Sequence, residues 1–169
     1  MFRFFLLQFM TVLLSFCPSV VTSASIWSET RGWQILVDTN TDDGCFMERL
    51  FDKGIKVRFG LRPLENGYYL EVLSQEWSDI VAGQQMNVDV DFGSDLFEGT
   101  ALEITEGDWA GSRIFTNNPE VEDLFARKST LSVGETGGEM VEIPLDGTKQ
   151  ALSELNDCQD AQPEPASSD

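Results

Sequence analysis

The chain contains no histidine in its 169 residues. That removes Ser-His-Asp and Cys-His catalysis and every histidine-ligated metal site. Basic residues are scarce: 11 lysines and arginines face 29 aspartates and glutamates, a formal net charge of −18 at pH 7. A chain this acidic is repelled by nucleic acid and by anionic lipid, which are polyanions themselves. It has neither a Gly-rich phosphate loop nor a Gly-x-Ser-x-Gly elbow. Its one continuous hydrophobic run, residues 4–14, is short for a membrane span, and no second run follows. Cysteine occurs three times, without a Cys-x-x-Cys pair.

What is present begins with an export signal. Arg3 supplies the positive start, residues 4–14 the apolar run, and Thr22, Ser23 and Ala24 the small residues before a cut at Ser25. Residues 1–24 are therefore expected to be a signal peptide. Their removal leaves 145 of the 169 residues, an ordinary length for one domain with one core. It takes away one basic residue and no acid, so the formal charge moves from −18 to −19. The expected location is the periplasm or the exterior. Cys17 leaves with the signal, and Phe16 stands before it where a lipoprotein signal has a small residue. Cys45 and Cys158 remain. In an oxidising compartment an even pair reads as a disulfide. Neither has Lys or Arg beside it to activate a thiol. The bridge would close a loop of more than a hundred residues, contributing about 4–5 kcal/mol in the chain-entropy model.

Residues 25–31 read as a linker and 32–159 as one folded domain. Trp33, Ile35 and Val37 share a face of a first strand. Residues 38–44 turn the chain, and a returning strand carries Cys45. The strictest alternation is at 55–62, where Ile55, Val57, Phe59 and Leu61 alternate with Lys56, Arg58, Gly60 and Arg62. Period two of this kind means one buried and one wet face. Further strands are expected at 68–72, 86–92, 100–104, 131–133 and 140–145. Asn118 caps a short helix opened by Pro119 and closed by Arg127 and Lys128. Ala151, Leu152, Leu155 and Cys158 recur at helical spacing in a final helix, for which Asp146 or Thr148 is the expected cap. Residues 160–169 read as a disordered acidic tail. The fold class is mainly β: an antiparallel sandwich or open barrel with one inserted helix and one C-terminal helix.

Three candidate sites follow. Trp77 and Trp109 lie in connections, where an aromatic can form a contact surface; Trp33 reads as core. Asp38, Asn40 and Asp42 have the alternating oxygen spacing of a calcium loop, with Asp43 and Arg49 where such a loop has Gly and Glu. The same residues also suit a plain hairpin turn. Glu71, Glu76, Asp89 and Asp91 could supply a two-acid hydrolase if two of them faced each other in a groove; acids on a wet strand face are more commonly solvated or paired with Lys56 and Arg58.

The ending Pro144, Leu145, Gly147, Ala151, Leu152, Leu155 and Cys158, with Trp33 and Cys45 near the start, resembles small exported proteins of alphaproteobacteria, including the invasion-associated locus B family. The resemblance implies a periplasmic or surface-exposed β-sandwich, linked in some members to host-cell invasion, and transfers no catalytic residue. The extra cysteine pair of many such proteins is absent here. The function expected is binding rather than catalysis: an envelope-associated accessory protein with a protein partner, no nucleic acid and no stable membrane span after cleavage. No cofactor is expected for that function. The sequence also admits a calcium-stabilised binding module, with calcium held at Asp38, Asn40 and Asp42, and a two-carboxylate hydrolase.

Overall fold

In the computed structural model, which describes residues 24–39 and 43–163, ten strands form one continuous antiparallel sheet. In chain order they are β1 (Ser25–Thr30), β2 (Trp33–Asp38), β3 (Gly44–Phe51), β4 (Ile55–Arg62), β5 (Gly67–Ser74), β6 (Gln85–Asp91), β7 (Leu96–Glu106), β8 (Trp109–Thr116), β9 (Thr130–Glu135) and β10 (Met140–Pro144). Helix α1 (Pro119–Arg127) precedes β9, and α2 (Thr148–Asp160) follows β10. The order in the sheet is β1-β2-β3-β4-β5-β8-β7-β6-β9-β10, and the ends do not pair. The sheet is the open form of the expected architecture. The segment from β5 to β6, which holds Trp77, spans the width of β8 and β7.

Alternation decides which side of each strand is inside. Trp33, Ile35 and Val37 of β2 and Val57 and Phe59 of β4 are buried in a cluster that also takes in Val90 of β6 and Ile143 of β10. One core thus draws on strands near both ends of the sheet, so the sheet curves around it. The two helices fill that core on the β1–β4 side. Asn118 Oδ1 accepts the Glu120 N–H at 3.0 Å and caps α1, which buries Val121, Leu124 and Phe125. Phe125 stacks on Phe59 with centroids 4.8 Å apart and meets Trp33 edge-on at 6.2 Å. Helix α2 buries Ala151, Leu152, Leu155 and Cys158, the stripe expected from their spacing. Cys158 is bonded to Cys45 across a separation of 113 residues.

The start of α2 differs from expectation. Neither Asp146 nor Thr148 caps it through a side chain; the cap position is Gly147, at φ 84°. A Cβ there would also lie 2.5 Å from Cβ of Arg31, so glycine is required twice over. The Thr148 hydroxyl instead shares its one proton between the carbonyls of Phe125, at 2.6 Å, and Leu145, at 2.8 Å, pinning α2 to α1. The Asp146 carbonyl accepts from Trp33 Nε1 at 3.1 Å and from Arg49 Nη1 at 3.0 Å. The Pro-Leu-x-Gly ending is thus the joint at which β10, both helices and β2 meet.

Two elements were not apparent in the sequence. Residues 25–30, read as linker, are β1, paired with β2. The connection expected around Trp109 is only a tight turn at Gly107 and Asp108, and Trp109 itself opens β8. The expected signal peptide lies outside the described residues apart from Ala24, as does the tail beyond residue 163. Among the described residues no helix is long and apolar enough to cross a membrane.

Candidate binding site: an acidic groove beside Trp77

Two of the surface regions that gather charged and aromatic side chains hold the candidate tryptophans. The first is the outer face of β3, β4, β5 and β8. The ladder places Glu48, Arg58, Glu71 and Arg113 directly opposite one another on successive strands, alternating in sign. Glu71 is only 1% exposed. Its Oε1 accepts from Arg113 and its Oε2 from Arg58, the latter at 3.3 Å. Arg58 also pairs with Glu48 and with Glu106 from the end of β7. Burial works against the charge of Arg58, but its bonds with Glu106 and Glu48 outweigh it and hold the guanidinium above the ordinary arginine value. The Arg58 bond in turn holds Glu106 below the usual carboxylate range. In the next row Gly60 leaves room for Tyr69: a Cβ on Gly60 would lie 2.2 Å from that ring. Burial and then the neighbouring Glu71 push the Tyr69 phenol upward. Trp109 is on this face, with Lys56 Nζ 4.0 Å from its ring centroid.

The second region is a groove at the free side of β10. A cavity of about 440 Å³ has Val72, Met86, Val88, Val133 and Val141 for its floor and Trp77 and Ile80 from the β5–β6 segment for a wall. Asp79, Glu103, Glu135 and Glu139 stand around it. A second cavity of about 540 Å³ continues past Phe51, Ile55 and Ser74 to Ile143 and Pro144, with Asp52, Glu76 and Glu142 beside it. The two share Trp77, Met140 and Val141, so they form one groove with Trp77 at its middle. Seven carboxylates line it against one base, Lys53. None of the seven forms an ion pair among the described residues. The β5–β6 segment is held over β7 by main-chain bonds between Glu103 and both Gly83 and Gln84, each 2.8 Å.

The candidate residues distribute as follows. Trp77 lines the groove and Trp109 the outer face, so they do not form one surface. Asp38 ends β2, while Asn40 and Asp42 lie outside the described residues. No set of three acidic or cysteine residues is placed to hold a metal ion among the described residues. The four acids considered for hydrolysis do not converge. Glu71 is locked between two arginines, Glu76 borders the groove, and Asp89 and Asp91 accept from Thr136 Oγ1 and the Gly93 N–H. What sequence reasoning missed was the free edge of β10; Pro144 in its last position was the available signal, since proline is confined to edges and ends of sheets.

This is an open antiparallel sheet whose C-terminal helix is tied to an early strand by a disulfide, with an apolar-floored acidic groove at the far edge. No protein-family model matches the chain, and no curated protein does. Among solved structures it is similar to the crystal structure of invasion associated protein B from Bartonella henselae, at 13% identity with a TM-score of 0.57, over 79% of this chain and 97% of that one. The likeness is one of fold, and it bears on the architecture rather than on the activity.

Proposed function

We propose that the protein is an exported accessory protein of the periplasm or envelope that works by holding a protein partner in the Trp77 groove. The observation that carries this reading is an apolar floor left open beside an unpaired strand edge and ringed by acids that form no ion pair among the described residues. Concave, partly apolar sites with convergent polar groups are the usual form of a recognition site. The Cys45–Cys158 disulfide is compatible with an extracytoplasmic location. The structural neighbour carries the name of an invasion associated protein, which is in keeping with an exported protein. The reading requires no resident cofactor and no catalytic residue. It is tested by cross-linking the tagged protein in the cell that makes it and identifying what is joined to it. One reproducible envelope partner, lost in Trp77→Ala and kept in Trp109→Ala, is the expected result. A partner lost only in Trp109→Ala would move the site to the outer face and sink this reading.

A further inference from the structure

The unpaired side of β10 has a readable pattern of main-chain groups. The Leu145 N–H donates to the Ser129 carbonyl at 2.9 Å, continuing the β9–β10 ladder. In an antiparallel pair the bonded positions recur every second residue. Ile143 and Val141 therefore bond to β9, and the N–H and C=O of Met140 and Glu142 point away from it. Pro144 falls in that same outward register, where its missing N–H costs the β9 ladder nothing. The outward groups border the groove that Trp77 shares with β10. Side chains alternate there too: Ile143 is buried, while Met140, Glu142 and Pro144 are exposed.

We propose, resting on the groove being the binding site, that its occupant is an extended, cationic peptide segment that adds as an eleventh strand to the edge of β10. Main-chain bonds to Met140 and Glu142 set its register. Its apolar side chains, one in two, face the Val141 side beside Trp77, and its basic side chains face the acids at the rims. The charge decides between occupants. Seven carboxylates that form no ion pair among the described residues, against one base, disfavour an acidic segment and a second copy of this strongly acidic chain, and they attract a basic one. Strand addition to a free edge is a general mode of peptide recognition, with backbone bonds supplying affinity and alternate side chains specificity.

The test titrates the purified protein with a synthetic peptide of about eight residues, an ordinary strand length, alternating Lys and Val. A Glu/Val peptide of the same length is the control. The Lys/Val peptide should bind saturably and the Glu/Val peptide should not, and raising salt from about 0.05 M to about 0.5 M should weaken binding roughly tenfold. Glu142→Pro removes one outward N–H and no β9 bond, and should weaken binding at least about tenfold, whereas Glu142→Gln should stay within about threefold. Melting curves of both variants identify any failure to fold, and Met140→Pro, which removes the other outward N–H, then serves instead. Equal binding of the two peptides, or binding indifferent to both proline variants, overturns the inference. So does no binding of the Lys/Val peptide while the Trp77-dependent cross-link persists; the groove then holds a partner of other chemistry. Absence of both the peptide complex and the cross-link defeats the proposed function itself.

Discussion

The outer face of β3–β5 and β8 and the groove beside β10 are both rich in carboxylates, and they treat them in opposite ways. On the outer face Glu48, Glu71 and Glu106 are each paired with Arg58 or Arg113, and Glu71 is buried. In the groove seven carboxylates surround apolar side chains and none has a cationic partner among the described residues. Charges that stabilise a fold are paired within it, because an unpaired charge near low-dielectric surface is costly. In the groove, Glu103 accepts the Val81 N–H and Asp79 the Ser78 hydroxyl, but no cation balances the seven charges among the described residues, which leaves that role to a ligand. The same contrast holds for the helices: α1 and α2 fill the core on the β1–β4 side, and among the described residues neither helix lines the groove. One part of the molecule is thus complete in itself, and the other is not.

If that division is right, changes in the complete part should cost stability and changes in the groove should not. The widest gap is expected at the latch. Cys158→Ser opens a bridge between residues 113 apart and should lower unfolding free energy by about 4–5 kcal/mol, read from urea midpoints. Glu71→Ala comes next: it leaves Arg58 and Arg113 facing each other across an emptied buried site and should cost about 2–4 kcal/mol. Trp77→Ala should cost about 1 kcal/mol or less, since the ring is only partly buried and borders open space. Reversing Glu135 and Glu139 to Lys should raise stability by about 0.5 kcal/mol by relieving repulsion, and more at low salt. A loss of several kcal/mol in either groove variant would erase the distinction.

The smallest effect is in the pH dependence. Glu106 has a folded pKa below its ordinary value of 4.5. Its contribution is therefore complete above that value and fades as pH falls through the depressed one. Because its side chain is more than half exposed, the contribution is discounted to about 0.5 kcal/mol. Glu106→Gln should be less stable than the parent at pH 7, and the difference should shrink as pH falls below 4.5.

Much of the frame was legible because it is written in local periodicity. The alternation at 55–62 gives β4, the Asn-Pro start gives α1, and the apolar stripe ending in Cys158 gives α2 and its bridge partner. Strand β1 was hidden because its residues are mostly exposed, so no alternation marks it. Strand β8 was hidden because Gly111 and the charged and aromatic residues of the outer face interrupt its apolar pattern; there a Cβ would collide with the Val72 carbonyl. The groove was legible only as Trp77 and its neighbour Glu76. Its other walls come from β4, β6, β9 and β10, which are far apart in sequence and meet only through the strand order.

The most direct measurement places a photo-cross-linking residue at Met140, on the groove, or at Phe115, on the outer face. The two are nearly equally exposed, at 40% and 42%, so accessibility does not favour either. The expected result is a discrete cross-linked partner in the cell from position 140 and none from 115. Equal labelling from both positions, or labelling from 115 alone, would contradict the assignment of the groove as the working surface.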